Sequence, residues 1–298
     1  MRVGLIRNPK SHRNLGRARA QPLPPGVLGA EPDDQDDLRE ALAAFAEASV
    51  EAIAIEGGDG TVRDILGLLP TAFAAPPMLA VYPLGKTNVL AGDLGEPPRL
   101  PALAAGIARP TLRAPLEVRW PDGEHPAVRG FVLGAGAYRR ATEMSRQVNR
   151  AGIFQGASVG VTLALAAGRT LLGPITNPWR LGEPAEVAVD GGEARAGHRF
   201  ILLASSLKRL PLGARPFGDA GDGLGWLDID APARRLSAML TPVLTGRDDA
   251  RLAPLGYRRG VGERLDLTLT QPFIVDGEPF PPGRVEVTLG APMRFAVA

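Results

Sequence analysis

Short apolar runs alternate with helically spaced apolar positions through the first third of the chain. Val3–Ile6, Ala52–Ile55 and Met78–Tyr82 read as buried strands, because each is a brief apolar run bounded by turn formers. Leu38, Leu42 and Phe45 recur at helical spacing behind Asp33 and Asp34, which can cap a helix. A second helix carries Val62, Ile65, Leu66 and Leu69 on one face, and P-L-G-K-T-N-V-L-A leads from the third strand into another. Strand, turn and helix therefore repeat three times, the pattern of parallel β-α-β units. The Arg-, Pro- and Gly-rich segment from Arg13 to Pro32 reads as loop.

Near Thr111 the period changes to two. L-E-V-R-W, A-V-R-G-F-V-L-G, A-E-V-A-V-D-G-G, F-I-L-L-A-S-S, W-L-D-I-D, R-L-D-L-T-L-T, P-F-I-V-D-G-E and V-E-V-T-L are short alternating segments separated by Gly, Pro or Asp. They predict an antiparallel sandwich or barrel, interrupted by one helical stretch from about Tyr138 to Leu172. The expected organisation is α/β followed by all-β. Residues 1–112 form an α/β domain with a mostly parallel sheet, and residues 113–287 an antiparallel β-sandwich. A return of residues 288–298 to the first domain is allowed, and a cleft is expected between the domains.

Composition narrows the function classes. The 298 residues, 45% hydrophobic, suffice for one large or two ordinary cores. With no cysteine, disulfides, thiolate metal sites and cysteine nucleophiles are excluded. A net charge of +2 and a pI of about 9.3 do not mark a nucleic-acid binder. The N-terminus starts a strand at once and lacks a signal-peptide apolar region. The apolar stretch Gly156–Ile175 is broken by Arg169, several glycines and Pro174, too often to span a bilayer. A cytoplasmic protein is expected.

Ligands of parallel α/β sheets bind at the carboxyl ends of the strands. Three unusual turns lie there: Asn8–Ser11, Gly57–Thr61 and Gly85–Asn88. Backbone N–H groups in Gly57-Gly58-Asp59-Gly60-Thr61 can converge on an anion, with glycine allowing close approach and positive φ. Asp59 would repel phosphate directly, so it is expected to face a cation or a polar group of the substrate. The only lysines are Lys10, Lys86 and Lys208; Lys86, in the third turn, reads equally as a phosphate contact and as a solvated side chain.

G-G-D-G-T after a strand is shared by the diacylglycerol kinase catalytic-domain family, sphingosine kinases and NAD kinases, and this chain resembles the lipid-kinase branch. Asn8-Pro9-x-Ser11 looks like that family's N-P-x-S-G, and Asp64 stands where its G-G-D-G-T-x-x-E has glutamate. Pro83–Asn88 resembles P-x-G-T-x-N-D, while Asp222-Gly223-Leu224 and Asp276-Gly277-Glu278 resemble the late D-G-x-L and D-G-E elements. The elements occur in family order from residue 8 to residue 278.

The resemblance implies a phosphofructokinase-like first domain and ATP-dependent, magnesium-assisted phosphorylation of a lipid hydroxyl. Gly57, Gly58, Asp59, Gly60, Thr61, Val62 and Arg63 would hold the nucleotide phosphates. Asn8 with Gly85, Lys86, Thr87 and Asn88 would complete the nucleotide site. Glu278 would accept the proton of the lipid hydroxyl, with Asp276 and Asp59 nearby, and Asp219, Asp222 and Leu224 would hold magnesium. Asn8, Asp222-Gly223 and Asp276–Glu278 have bland readings too, as a turn cap and as hairpins. Lys86 replaces the family's threonine and Val89 its aspartate, which keeps two alternatives open: NAD kinase, or a catalytically silent nucleotide- or lipid-binding member. A lipid substrate further implies peripheral contact with the inner membrane face, with Ile153–Ile175 as a candidate acyl wall. Arg139, Arg140, Arg146 and Arg150 read as a solvated helix face in preference to an anionic-lipid patch. The oligomeric state is left open, a homodimer included.

Overall fold

The computed structural model describes residues 1–11, 14, 22–150, 177–218 and 223–298. The chain divides into two compact units, Met1–Pro115 with Ala291–Ala298, and Leu116–Gly290.

The first unit is built on a six-stranded sheet. Its strands are β1 (Val3–Arg7), β2 (Val27–Ala30), β3 (Ala52–Gly57), β4 (Met78–Pro83) and β5 (Arg109–Arg113), joined by the last strand of the chain, Met293–Val297. The order is β2-β1-β3-β4, then the last strand, then β5. All neighbours pair in parallel except β5, which runs antiparallel to the last strand. Four helices accompany it: α1 (Gln35–Glu47), α2 (Asp59–Ala72), α3 (Val89–Leu94) and α4 (Leu100–Ala104).

The period-3.6 pattern is realised as packing. Asp34 caps α1 by accepting the N–H groups of Asp36 and Asp37, and Leu38, Leu42 and Phe45 form the helix's buried side. Phe45 lies so close to β1 that a Cβ on Gly4 would stand 2.4 Å from its ring. Ile65, Leu66 and Leu69 of α2 are buried, as are Ile53 and Ile55 of β3. Full burial of such a side chain contributes about 1.5–3 kcal/mol. One expectation needs correcting: the segment read as loop from Arg13 to Pro32 contains β2. Only Val27 of this four-residue edge strand is buried and Leu28 is 44% exposed, so it carries almost no hydrophobic signal.

The second unit is an eleven-stranded sheet in which every pairing is antiparallel. Its strands are β6 (Leu116–Arg119), β7 (Val128–Gly130), β8 (Val132–Gly136), β9 (Glu183–Val189), β10 (Arg195–Ser205) and β11 (Leu224–Asp230). They continue with β12 (Tyr257–Gly262), β13 (Arg264–Leu269), β14 (Phe273–Val275), β15 (Glu278–Phe280) and β16 (Gly283–Leu289). The long β10 serves two parts of the sheet. Arg195–Arg199 pair with β9 and Ile201–Ser205 with β8, while β11 runs along the strand with a register shift between Arg199 and Ile201. Such an irregularity bends a strand and lets it pass from one layer to another.

Among the described residues this unit also carries helices α5 (Ala137–Arg150), α6 (Pro178–Leu181) and α7 (Leu236–Thr245). One core gathers Trp120, Leu133, Leu202, Phe273 and Val287, and a second gathers Phe217, Leu227, Met239 and Tyr257. The α/β and all-β classes are those the periodicities predicted. Of the helical stretch expected from Tyr138 to Leu172, α5 is described; the rest, and the candidate acyl wall Ile153–Ile175, lie outside the described residues. Among the described residues no helix is long and apolar enough to cross a membrane.

Candidate active site

In the first unit the three predicted turns come together at the carboxyl ends of β1, β3 and β4. Asn8 leaves β1 with its N–H donating to Glu56 O at 3.0 Å, and its side-chain Nδ2 donates to Thr61 Oγ1 at 2.8 Å. Leu84, just past β4, donates its N–H to Gly57 O at 3.0 Å. The two glycine turns then pack backbone to backbone. A Cβ on Gly85 would stand 2.5 Å from Gly58 Cα, and a Cβ on Gly57 would stand 2.6 Å from Thr61 Oγ1. Glycine is required here by close approach. The positive φ expected of the turn is absent at Gly57, Gly58, Gly60 and Gly85.

Asp59 is the first residue of α2, not a turn residue. Its carboxylate accepts the N–H groups of Val89 at 3.0 Å and Leu90 at 3.2 Å, the first amides of α3. Burial pushes the Asp59 carboxyl above its ordinary value, while the backbone N–H groups around it pull the other way without reversing the shift. The oxygens of this carboxylate tie one helix start to another, a role that the expectation of a metal- or substrate-facing group did not include. Asn88 completes the arrangement in the left-handed conformation, φ 52°. Its side chain accepts Gly85 N–H and donates to Gly85 O, both at 2.9 Å, closing the third turn.

What remains open to a ligand is mostly backbone. Gly58 starts α2 with no side-chain cap, so the first amides of a 14-residue helix lack an intrahelical acceptor. An added Cβ on Gly60 would meet nothing within 4 Å. Val62 is buried in the core and can contribute only its backbone. Arg63 is held by Asp64, with Nη2 2.7 Å from Oδ1. Lys86 and Thr87 are exposed, and Lys86 forms no hydrogen bond or ion pair among the described residues. An uncapped helix start beside an open glycine and an exposed lysine fits an anionic group such as a nucleotide phosphate. Sequence reasoning missed Asn14, 5% exposed, whose Nδ2 donates to Asn8 O at 2.9 Å and Glu56 O at 3.2 Å. No local motif marks it.

In the second unit Asp276 and Gly277 form the two-residue turn between β14 and β15, with φ of 46° and 84°. The Asp276 carboxylate accepts the N–H of Phe131 at 2.9 Å and of Val132 at 2.9 Å, and Gly130 makes room for it: a Cβ there would stand 2.7 Å from Asp276 Oδ2. Glu278 is exposed, and Arg146 of α5 lies 2.7 Å from its Oε2 while also donating to Gly277 O. The pairing gives Arg146 a specific partner that the reading of a merely solvated face did not anticipate. Of the expected magnesium set, Leu224 is buried at the start of β11, and Asp219 and Asp222 lie outside the described residues. Among the described residues no group of three or more His, Asp or Glu side chains is placed to hold a metal.

Residues 2–115 match the sequence model of the diacylglycerol kinase catalytic domain. A probable lipid kinase YegS-like of Chromohalobacter salexigens is 43% identical over 63 residues, which is 21% of this chain and 20% of that protein. The match therefore spans about a fifth of the curated relative. Among solved structures, two of a putative diacylglycerol kinase from Bacillus anthracis str. Sterne superpose with TM-scores of 0.65 at 14% and 15% identity, each over 98% of this chain and 96% of that one. A diacylglycerol kinase from the same strain gives a TM-score of 0.61 at 13% identity, over 100% of this chain and 97% of that one. At such identities the likeness is one of fold. The resemblance carried by the motifs holds for the first unit: residues 2–115 match the diacylglycerol kinase catalytic domain family, a family of kinases.

Proposed function

We propose that this chain transfers the γ-phosphoryl group of ATP to the hydroxyl of a lipid such as a diacylglycerol or a sphingoid base. One observation carries the reading: Asp59 turns its charge onto Val89 and Leu90, so the glycine turn offers amides and a positive helix end in place of a carboxylate. Phosphoryl transfer depends chiefly on positioning and charge neutralisation, and such a cradle serves both. The backbone from Gly57 to Arg63 holds the phosphates. Asn8, Gly85 and Asn88 keep the turns in place, and Lys86 and Thr87 reach the nucleotide from the third turn. Thr61 and Asp59 act through the hydrogen bonds they make.

In the second unit Glu278 accepts the proton as the lipid oxygen attacks the γ-phosphorus and the bond to the ADP oxygen breaks. Arg146 orients Glu278, and Asp276 fixes the turn that presents it. The resemblance implies magnesium, which would neutralise charge on the phosphates, and a magnesium site on Asp219, Asp222 and Leu224, of which only Leu224 is among the described residues. A lipid acceptor also implies peripheral contact with a membrane surface.

The test is transfer from γ-labelled ATP over a total lipid extract, with identification of the labelled product. A labelled lipid is expected. Labelled NAD in a parallel reaction with no labelled lipid would move the assignment to NAD kinase. Retained ATP binding with no labelled product in either reaction would make the chain a silent nucleotide binder.

A further inference from the structure

The second unit contains a basic cavity that the lipid-kinase reading does not use. β10, β11 and β12 bring three arginines against two aspartates. Asp228 is fully buried, with Arg199 Nε 2.8 Å from its Oδ1 and Arg195 Nη2 3.2 Å from its Oδ2. Asp230 takes Arg199 Nη1 at 3.0 Å and the two terminal nitrogens of Arg258 at 2.9 and 3.0 Å. Gly256 permits this packing, since a Cβ there would stand 2.7 Å from Asp230 Oδ2. A cavity of about 590 Å³ opens on the cluster, and His198 and the exposed Arg234 also line it.

Two features exceed what a network holding strands together requires. Counting Arg234 and the lining Glu193, four guanidiniums face three carboxylates, an excess of one positive charge. In addition, Arg195 Nε and Arg199 Nε are both buried with no hydrogen-bond partner, although Arg199 Nε still pairs by charge with Asp228. Buried polar groups are normally satisfied, and a buried cationic donor beside open volume lacks an acceptor. Guanidinium forks match the oxygens of phosphate, and the volume lies within the range of small-ligand sites.

We propose that this cavity binds a phosphate-class anion, the chemistry shared by a phospholipid headgroup and free phosphate. The anion's oxygens satisfy Arg195 and neutralise the surplus charge, with Arg234 closing over it from the rim.

The experiment titrates the full chain with inorganic phosphate, with phosphatidylglycerol vesicles and with phosphatidylcholine vesicles, following the side-chain Nε–H resonances of Arg195 and Arg199 by NMR. Occupancy of the glycine turn would move the Gly60 amide instead, so the two sites are read separately. Saturable shifts of the arginine resonances are expected, weakened by about fivefold or more in Arg234→Gln, whose exposed position leaves the fold intact. Shifts with phosphate alone identify a soluble anion, and shifts with phosphatidylglycerol but not phosphatidylcholine identify a headgroup. Absence of saturable shifts with every probe, equal response to both vesicle types, or unchanged affinity in both Arg234→Gln and Arg195→Gln would overturn the proposal.

Discussion

The carboxylate of Asp59, at the start of one helix, accepts the backbone N–H of Val89, at the start of another, at 3.0 Å. With the second bond from Leu90, it holds the glycine turn against the third turn. Asp59→Ala leaves two amides without their charged acceptor, and a loss of about 2–3 kcal/mol in urea unfolding is expected. Asp59→Asn keeps one acceptor oxygen and costs about 1 kcal/mol. Both variants should lose phosphotransfer, because the turn no longer keeps its position. An Asp59→Ala chain as stable as the parent would remove the tie from the account.

The same residue gives a pH signature. Burial raises the folded-state pKa of Asp59 above the unfolded value of 3.8. A group raised in this way favours the folded state most when protonated. Its contribution is fully present below the unfolded pKa and is lost as pH rises through the folded one. The stability of the parent relative to Asp59→Asn should therefore increase as pH falls through the folded pKa toward 3.8, then level off. Paired urea titrations across the acid range measure this, and a difference that shrinks on acidification would contradict the direction.

The glycines of the two turns should respond differently to a methyl group. Gly85→Ala drives a Cβ to 2.5 Å from Gly58 Cα, a backbone atom that cannot swing aside, and a loss of about 1–3 kcal/mol is expected. Gly60→Ala meets nothing within 4 Å and lies in α2, so stability should hold or rise by up to about 1 kcal/mol. If phosphate approaches the open face at Gly60, the KM for ATP nonetheless rises about tenfold, equivalent to ~1.4 kcal/mol. A Gly60→Ala enzyme with unaltered KM would place the phosphates elsewhere.

The sequence made some parts of this arrangement legible and not others, for a consistent reason. Local patterns showed β1, β3, β4, the cap at Asp34 and the glycine turns, because apolar period and turn chemistry act between neighbours. β2 escaped because an edge strand with one buried residue has almost no period to show. The direction of a carboxylate is not local either. Asp59 finds its acceptor role 30 residues along the chain, and Asp276 bonds Val132 across 144 positions. In both cases the motif identified the turn, while tertiary packing decided which donors the side chain meets. Lys86 is the opposite case: its exposed position leaves the phosphate and surface readings both standing.

In the proposed mechanism Glu278 is the proton acceptor and Arg146 the residue that aims it. Their side chains are 48% and 34% exposed, so the ion pair contributes under about 1 kcal/mol and neither substitution should harm the fold. Glu278→Gln removes the acceptor and should lower kcat by about 10²- to 10⁴-fold, with ATP affinity unchanged. Arg146→Ala leaves the carboxylate in place but free to turn, and frees Gly277 O as well, so a smaller fall in kcat is expected, again with little change in ATP affinity. Arg146→Lys retains a charge within reach and should recover part of the loss. Steady-state kinetics with lipid and ATP varied separately resolve these outcomes. If Glu278→Gln weakened ATP binding while single-turnover transfer stayed normal, Glu278 would serve the nucleotide and the proton acceptor would have to be sought elsewhere.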